Sequence, residues 1–350
     1  MAIDQDQLNT LLFRMIGDVA AAASGPLVVL GDRLGLFRAL AANGPLSSTD
    51  LAGQLALHER YVREWLNNMV AAQYVQYEAA SARYFMTPEQ AACLADADSP
   101  AYLPGGYYAV TALYLDEPKA EEAFRTGQGI GWGDHSNCLF CGAEKFFGPG
   151  YKANLMDHWL PALDGVVAKL TAGASVADVG CGHALSTRLM ARAFPASQFH
   201  GIDYHAPSIS HATEMAAAWQ LDNAQFRLGG ASDFDGNYDL ITFFDCLHDM
   251  GDPVAIARHV KSRLKPGGTW LIVEPMAGDS VNENINPVSR AFYAFSTLVC
   301  VPVSLSQPGR VGLGAQAGPA RLLEVVRAGG FSDVRVAATT PANLVLEARA

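Results

Sequence analysis

The fold of this 350-residue chain follows from one stretch, VADVGCGHALST (Val176–Thr187). It begins as a short apolar strand carrying the acid Asp178, continues as the turn Gly180-Cys181-Gly182, and then enters a helical pattern. Glycines let the backbone approach a ligand closely, and the free N–H groups at the start of a helix favour an anionic group such as a carboxylate. This order predicts a ligand-binding corner of an α/β domain, with a tight turn that binds nothing as the alternative.

Strand and helix patterns alternate on both sides of this stretch. Apolar runs bounded by turn residues predict strands, and apolar residues at three- and four-residue spacing predict the helices between them. The predicted strands cover 175–179, 198–202, 238–244 and 269–273, the helices 185–193, 208–219, 253–264 and 320–328, and a closing pair of strands 334–337 and 343–348. Such alternation predicts an α/β fold with a Rossmann-like parallel sheet and helices on both faces.

The first 94 residues predict a mainly helical domain. We expect a helix over 32–41, a second helix opened by the capping cluster Ser47–Asp50, a third helix over 59–72, and short strands over 74–77 and 82–85. Three helices followed by a small hairpin describe a winged helix.

A winged helix is commonly a DNA-binding domain, and the charge of this one argues against that use. Between Leu27 and Gln90 five arginines stand against six acids, a balance of −1, whereas a duplex-binding domain has a basic surface. The third helix carries Trp65, Leu66 and Met69, an apolar face suited to packing. We therefore predict a dimerisation domain in a homodimer, with nucleic acid an unlikely partner.

A second acid, Asp203, ends the strand that follows the glycine turn, 21 residues beyond Gly182. It is placed to accept hydrogen bonds from a ribose diol, and the spacing also suits a dinucleotide. A dinucleotide turn has a third small residue three positions after the second glycine, where this chain has Leu185. Asp178 would repel a pyrophosphate but suits a ligand with a positive charge, such as S-adenosylmethionine, which carries an ammonium and a sulfonium.

On these residues, 151–350 resembles the class I S-adenosylmethionine-dependent methyltransferases, and the winged helix ahead of it resembles that of the dimeric small-molecule O-methyltransferases. The resemblance implies S-adenosylmethionine as cofactor and the following binding residues. Asp178, Gly180 and Gly182 would hold the methionine part, Asp203 and Tyr204 the ribose and adenine, Ala231 and Ser232 would flank the adenine, and Asp245 would close the pocket. The sequence departs from the family at Gly230, where an acid that reaches the adenine amine often stands.

The segment FFDCLHDMGDP carries the catalytic prediction. Its His248-Asp249 pair resembles the His-Asp pair of plant-type O-methyltransferases, whose histidine acts as base, and Glu274 matches the acid that orients this base. A further acid of that family falls near Gln316 here, so the pattern is only partly kept. Because the methyl carbon is already activated, the protein mainly positions the acceptor and removes its proton, which suits a histidine. A structural or helix-capping His248 is the alternative.

Residues 95–150 are rich in glycine, proline and aromatic residues, and we interpret them as a linker and substrate lid. The candidate substrate residues are Trp132, His135, Phe146 and Phe147 from this segment and Phe292 and Phe295 from an uncharged stretch further on, with plain packing as an equal alternative. His135, Cys138 and Cys141 form a His-x-x-Cys-x-x-Cys pattern, but a fourth ligand is missing nearby. We therefore predict no metal site.

The composition excludes several classes of protein. The chain has 24 basic and 35 acidic residues, a net charge of −11, so it has no long-range positive field for nucleic acid or anionic lipid. Hydrophobic residues make up 50% and charged residues 17%, which excludes disorder. The six cysteines are scattered and the N-terminus has no basic start, which predicts a cytoplasmic protein. The apolar stretch over 291–305 is interrupted by polar residues, so we predict no membrane partner.

Together these observations predict three segments: N-terminal helices and a winged-helix dimerisation domain (1–94), a linker and substrate lid (95–150), and a methyltransferase domain (151–350). The function that we predict is methyl transfer from S-adenosylmethionine to a small, rather apolar acceptor, at oxygen and with His248 as base. The alternatives are a winged-helix transcriptional regulator that senses a ligand through a methyltransferase fold, and an N- or S-methyltransferase that works by proximity without a dedicated base.

Overall fold

The computed structural model describes residues 2–350 and divides into two compact units. The first consists of the residues up to Thr111 together with Cys141–Pro149, and the second of Ala112–Phe140 and Gly150–Ala350. The segment interpreted as a linker and lid, 95–150, is mainly helical and contributes to both units. The boundaries drawn from the sequence at 94 and 150 stay predictions.

The first unit contains the winged helix. Its elements in chain order are α1 (Gln5–Arg33), α2 (Leu36–Asn43), α3 (Ser48–Leu55), α4 (Glu59–Ala71), β1 (Gln76–Glu78), β2 (Arg83–Phe85), α5 (Pro88–Leu94) and the first part of α6 (Pro104–Thr126). The predicted cap of α3 is confirmed, because the Ser47 hydroxyl accepts from Asp50 N–H (3.1 Å) and the Asp50 carboxylate accepts from Ser47 N–H (3.2 Å). The helix expected over 32–41 is interrupted, since Gly35 adopts a left-handed φ of +75° between α1 and α2.

The apolar face of α4 is used inside its own unit. Trp65, Leu66 and Met69 are buried, and Trp65 Nε1–H donates to the carbonyl of Leu27 on α1 (2.8 Å). This face is therefore not available to a partner. In the first half of α1, by contrast, large apolar side chains from Leu8 to Val19 are exposed.

The second unit is built around a sheet. Its elements are the remainder of α6, a 3₁₀ turn (Trp132–Asp134), the two ends of α7 (Asn137–Asn154), a π-helical turn (Leu155–Trp159), α8 (Val166–Ala172), β3 (Ser175–Val179), α9 (Leu185–Ala193), β4 (Gln198–Asp203), α10 (Ala206–Ala218), β5 (Ala224–Leu228), β6 (Tyr238–Phe244), a 3₁₀ turn (Leu247–Asp249), α11 (Pro253–Arg263), β7 (Leu264–Pro275), α12 (Pro287–Phe295), a π-helical turn (Ser296–Cys300), α13 (Val301–Ser306), α14 (Gly318–Ala328), β8 (Asp333–Thr339) and β9 (Asn343–Arg349).

The seven strands lie in the order β5-β4-β3-β6-β7-β9-β8. The first five are parallel, and β9 pairs antiparallel with β7 on one side and with β8 on the other, so the predicted α/β sheet with its closing hairpin is confirmed. The sequence reading missed β5, a five-residue edge strand in which Gln225 and Arg227 alternate with Phe226. The residues Pro266-Gly267-Gly268 predict a turn and a strand that begins at 269, but they lie inside β7, which begins five residues earlier.

The strand period of two divides the core between the two faces of the sheet. On β7, Trp270 and Ile272 pack in one apolar cluster, and Leu271 and Val273 pack in the other. Because both faces are covered, functional side chains can reach solvent only at the edges of the sheet. The carboxyl ends of β3, β4, β6 and β7 meet at one such edge.

The uncharged stretch expected as a buried helix and loop is helical from 287 to 306. This helical stretch and α1 are each long and apolar enough to span a membrane when judged by length and composition alone. Buried core helices and signal sequences have the same length and composition, so this property is weak support for a membrane partner.

Candidate active site

The glycine turn leaves open space at the carboxyl end of β3. Gly180 and Gly182 have φ values of +72° and +53°, which a residue with a side chain rarely adopts. The N–H groups of Gly180 and Cys181 both point back to the carbonyl of Ile202 (2.8 and 3.2 Å), which fixes the turn against β4. A Cβ added at Gly182 would meet no atom within 4 Å, so the backbone at this position faces a free volume.

Asp203 joins the glycine turn to the end of β4. One carboxylate oxygen accepts from Gly182 N–H (2.8 Å) and the other accepts from His205 N–H (2.8 Å). Burial raises the pKa of Asp203, and the two backbone hydrogen bonds oppose this shift. Each oxygen keeps lone-pair capacity for a further donor, which is what a ribose diol requires.

Asp178 lies beneath the turn and is fully buried. Its carboxylate accepts from the hydroxyls of Ser186 (2.8 Å), Thr187 and Thr242 (3.0 Å). Burial raises the pKa of Asp178 to about 6 although these hydroxyl donors lower it. The carboxylate therefore ties the start of α9 and β6 to β3, and its predicted contact with a methionine ammonium stays a prediction.

The other predicted cofactor residues surround Asp203. Tyr204 follows it and is half exposed. Gly229 N–H donates to the Asp203 carbonyl (3.0 Å), which brings the residues after β5 to the same edge. Ala231 and Ser232 follow Gly229 by two and three residues, and Ser232 is exposed. Their adenine contacts stay predictions.

Asp245 ends β6 in a strained left-handed conformation, with φ of +51°. Its carboxylate accepts from the Tyr151 hydroxyl (2.9 Å) and from the side-chain amide of Asn343 (3.3 Å). Burial, followed by the negative charge of Glu274, raises the pKa of Asp245 to about 7. Tyr151 and Asn343 were not singled out from the sequence, because they lie 94 and 98 positions away from Asp245 and no local pattern signals such contacts.

His248 stands between two carboxylates just beyond β6. Its Nδ1 is hydrogen-bonded to Glu274, whose other oxygen accepts from Leu247 N–H (2.9 Å), and its Nε2 lies 3.1 Å from an Asp249 oxygen. Burial alone would lower the pKa of His248, but the charges of Glu274 and Asp249 outweigh it and hold that pKa well above its ordinary range. The structure thus brings the three predicted catalytic residues together.

The turn that carries His248 is held in place by the segment after α12. Gln307 Nε2 donates to the Asp249 carbonyl (2.8 Å), and Gly314 N–H donates to the His248 carbonyl (3.3 Å). The Cys300 Sγ lies within 4.8 Å of a ring nitrogen of His248 and of a carboxylate oxygen of Asp249. Neither Cys300 nor Gln307 could be assigned this role from the sequence, since each contacts a residue more than 50 positions earlier in the chain.

The candidate substrate residues are divided between the two units. Trp132 and Phe295 pack on an apolar cluster of Ala112, Leu139, Val299 and Val303 in the second unit, and Phe292 is buried on α12. Phe146 and Phe147 belong to the first unit and contact each other edge to face. Whether these aromatic side chains touch a substrate stays a prediction.

The side chain of His135 pairs with an acid and not with Cys138 or Cys141, the cysteines that follow it in the His-x-x-Cys-x-x-Cys pattern. Its Nδ1 lies 3.1 Å from Asp116 on α6, and it is buried. Cys138 and Cys141 are free thiols, and they fall on opposite sides of the boundary between the two units.

Two family models match the chain. Residues 22–96 match a model described as an Rv2258c-like winged HTH domain, and residues 170–302 match one described as a methyltransferase domain. The first lies over the winged helix of α2–β2, and the second over the sheet and its glycine turn. The chain therefore carries a winged-helix domain followed by a methyltransferase domain.

Solved structures share this fold over almost the whole chain. An O-methyltransferase family protein from Burkholderia thailandensis superposes with a TM-score of 0.69 at 15% identity, covering 99% of this chain and 98% of that one. Human N-acetylserotonin methyltransferase in complex with SAM superposes with a TM-score of 0.68 at 17% identity, with the same coverage. At such identities the likeness shows the fold, and it confirms the class I methyltransferase architecture.

Curated relatives match about a third of the chain. A ubiquinone biosynthesis O-methyltransferase of Xanthomonas campestris is 35% identical over 115 residues, which is 31% of this chain and 47% of the relative. A trans-aconitate 2-methyltransferase of Deinococcus radiodurans is 28% identical over 112 residues, 32% of this chain and 42% of the relative. The chain spans less than half the length of these relatives.

Proposed function

Since the chain joins a winged-helix domain to a domain of the class I methyltransferase fold, we propose that it is an S-adenosylmethionine-dependent methyltransferase. We propose further that it methylates an oxygen of a small, rather apolar acceptor and that His248 is the base. The observation that carries this proposal is the buried cluster of His248, Glu274 and Asp249. It stands at the sheet edge that also bears the glycine turn.

The residues at this edge fit the cofactor. The left-handed glycines and the free volume at Gly182 leave room for a ligand against the backbone, and Asp203 offers carboxylate oxygens at the end of the next strand. Gly180 and Gly182 would hold the methionine part and Asp203 the ribose. When bound, S-adenosylmethionine supplies a methyl group activated by its sulfonium. Solved relatives of this fold carry SAM or SAH, which supports the same choice for this chain.

His248 is built to take a proton from the acceptor. Glu274 holds the ring through Nδ1. Nε2, which faces an Asp249 oxygen at 3.1 Å, is then the atom that accepts the hydroxyl proton while the acceptor oxygen gains the methyl group. The flanking carboxylates favour the imidazolium form, so they stabilise the ring once it holds that proton. The same charges keep the ring protonated in the resting protein, and it must lose this proton before each turnover.

Apolar side chains beside His248 support an apolar acceptor. Cys300, which contacts His248, follows Val299, and Val299 packs in the cluster that includes Leu139, Trp132 and Phe295. An apolar ring of the acceptor that packs against these side chains would gain roughly 25 cal/mol of binding free energy per Å² of apolar surface buried.

We also propose that the chain is a homodimer in the cytoplasm. The first half of α1 exposes a row of apolar side chains, which is unfavourable in water. A second copy of the chain would bury this apolar surface. The six free cysteines support a reducing compartment.

Calorimetry with S-adenosylhomocysteine tests the activity class directly. The purified chain is expected to bind this product with a stoichiometry of one per chain. Methyl transfer is then measured with labelled S-adenosylmethionine and a panel of phenols and naphthols. Absence of binding at millimolar ligand would overturn the proposed function.

A further inference from the structure

A second buried histidine–carboxylate pair lies in the methyltransferase unit, formed by His135 and Asp116. His135 is 5% exposed, and its Nδ1 lies 3.1 Å from an Asp116 oxygen that also accepts from Ser136 N–H (2.8 Å). The other Asp116 oxygen accepts from Lys119 Nζ (2.8 Å). Asp116 is thereby fixed by three neighbours, and it fixes the His135 ring in turn.

The proton of His135 is located by this arrangement. Burial lowers the pKa of His135, so the ring is neutral, and the carboxylate of Asp116 keeps the single ring proton on Nδ1. Nε2 then carries a lone pair. This atom is buried and has no hydrogen-bond partner within residues 2–350. A buried acceptor without a donor is destabilising, and such atoms are uncommon in folded proteins.

His135 is linked to the catalytic cluster by contacts through Trp132 and the segment Val299–Val303. Its ring meets Trp132 edge to face at 6.5 Å between centroids, and Trp132 packs with Val299 and Val303. Cys300 lies between those two valines in the chain and contacts His248. The negative charge of Asp249 also raises the pKa of His135, although burial lowers it by more.

A second buried acceptor without a donor lies on the segment that contacts the His248 backbone. Gln316 Nε2 donates to the carbonyls of Met276 (3.1 Å) and Ala315 (3.0 Å), which fixes the orientation of the amide. Its Oε1 is buried and has no hydrogen-bond partner in the part of the chain that the structure describes. Gly314, two residues earlier, donates to the His248 carbonyl. Both unsatisfied atoms require a donor, and a hydroxyl or an amine on a ligand supplies one.

Building on the proposed O-methyltransferase function, we propose that His135 is a specificity-determining residue whose Nε2 accepts a hydrogen bond from a second donor group of the methyl acceptor. The substrate class is therefore an apolar ring system with two hydroxyls, or with one hydroxyl and one amine. One group is methylated beside His248, and the other is recognised by the His135–Asp116 pair. Asp116 is the positioning residue of this pair.

The test compares ligands with and without a second donor on the S-adenosylhomocysteine complex. The probes are a set of dihydroxynaphthalenes with different hydroxyl separations, 2-naphthol, and 3-methoxy-2-naphthol, titrated by tryptophan fluorescence. The wild type is expected to bind at least one diol about tenfold more tightly than 2-naphthol, the effect of one buried hydrogen bond. His135→Phe keeps a ring but loses the hydrogen-bond acceptor, so this variant should bind the diol and 2-naphthol with equal affinity.

Asp116→Asn sharpens the test because an amide can donate to Nδ1 and so move the ring proton to Nε2. This variant should lose the preference for the diol and gain one for 3-methoxy-2-naphthol, an inversion that a merely structural role would not produce. His158→Ala, at an exposed position, is the matched control and should behave as wild type.

Binding of S-adenosylhomocysteine, measured first in every variant, separates this inference from the proposed function. Loss of that binding in the wild type would count against the methyltransferase activity itself. A wild type without any diol preference, or a preference that persists in His135→Phe, would overturn the inference about His135.

Discussion

The imidazole of His248 is hydrogen-bonded through Nδ1 to the carboxylate of Glu274, and both side chains are almost completely buried at the ends of β6 and β7. The two residues are 26 positions apart in the chain, and the parallel pairing of their strands brings them together. A buried ion pair that also accepts a backbone N–H, from Leu247, holds one ring orientation. This fixed orientation underlies the predictions on catalysis.

Replacing His248 by Ala should lower kcat by about 10²–10⁴-fold, the usual effect of general-base catalysis. The affinity for S-adenosylhomocysteine should stay within about threefold, because His248 is not assigned to the cofactor. Calorimetry and a labelled-methyl assay measure the two quantities, with His158→Ala as control. Unchanged turnover would remove the base and favour methyl transfer to nitrogen or sulfur by proximity.

Activity should rise with pH as His248 loses its proton. Only neutral His248 accepts a proton, and the charges of Glu274 and Asp249 hold the pKa of its imidazolium well above the ordinary value against the opposing effect of burial. kcat/KM should therefore rise with pH through a pKa well above 6.5. Glu274→Gln removes the larger of the two charges that raise the pKa of His248. In this variant the rise of kcat/KM should move to lower pH, and the maximum value of kcat/KM should fall.

A rise of kcat/KM that does not move in Glu274→Gln would contradict this assignment of the proton. Asp249→Asn serves as the graded comparison, because its charge is the second of the two causes that raise the pKa. It should shift the rise of kcat/KM in the same direction by a smaller amount.

Asp203 should control cofactor affinity. Asp203→Ala removes a charged hydrogen-bond acceptor and also frees the N–H of Gly182, so we expect the Kd for S-adenosylhomocysteine to rise about 10- to 100-fold. Asp203→Asn keeps one oxygen for a backbone donor and should show a smaller loss. Asp222→Ala, at an exposed acid, controls for net charge. Equal affinities in all four proteins would contradict the ribose assignment.

Stability should depend on pH through Asp178. Folding raises the pKa of this carboxyl from 3.8 to about 6, chiefly by burial, so the folded state binds the proton more tightly than the unfolded chain. The free energy of unfolding should therefore fall by about 2 kcal/mol as pH rises from about 4 to about 6. In denaturant titrations, the free energy of unfolding of Asp178→Asn should not show this fall with pH. The same dependence on pH in the variant and the wild type would contradict the prediction.

The sequence predicted the sheet well because its signals are local. The strand at 175–179, the helix at 185–193 and the strand at 238–244 match the structure residue for residue, since apolar runs and glycine turns mark their ends. The edge strand β5 was missed because Gln225 and Arg227 interrupt its apolar pattern. The segment 95–150 was not recognised as helical, since Pro118 and Pro149 lie inside α6 and α7.

The candidate site was predictable only where residues follow strand ends. Asp203, His248 and Glu274 each stand at the carboxyl end of a predicted strand or just beyond it, and parallel strands place these ends at one edge. The contacts of Asp116 with His135, Tyr151 with Asp245 and Cys300 with His248 depend on how helices pack on that edge. No spacing rule in a single sequence records such packing.

The proposed homodimer should depend on the first half of α1. Leu12 and Val19 are 51% and 68% exposed and lie on the same side of this helix, which leaves apolar surface that a partner helix would bury. Leu12→Glu with Val19→Glu places two charges in that interface, and burying them unpaired would be strongly unfavourable. We expect the wild type to have twice the chain mass by light scattering and the double variant to be monomeric, with both binding S-adenosylhomocysteine. Thr10→Glu, on the polar side of α1, should stay dimeric, and a monomeric wild type would contradict the proposal.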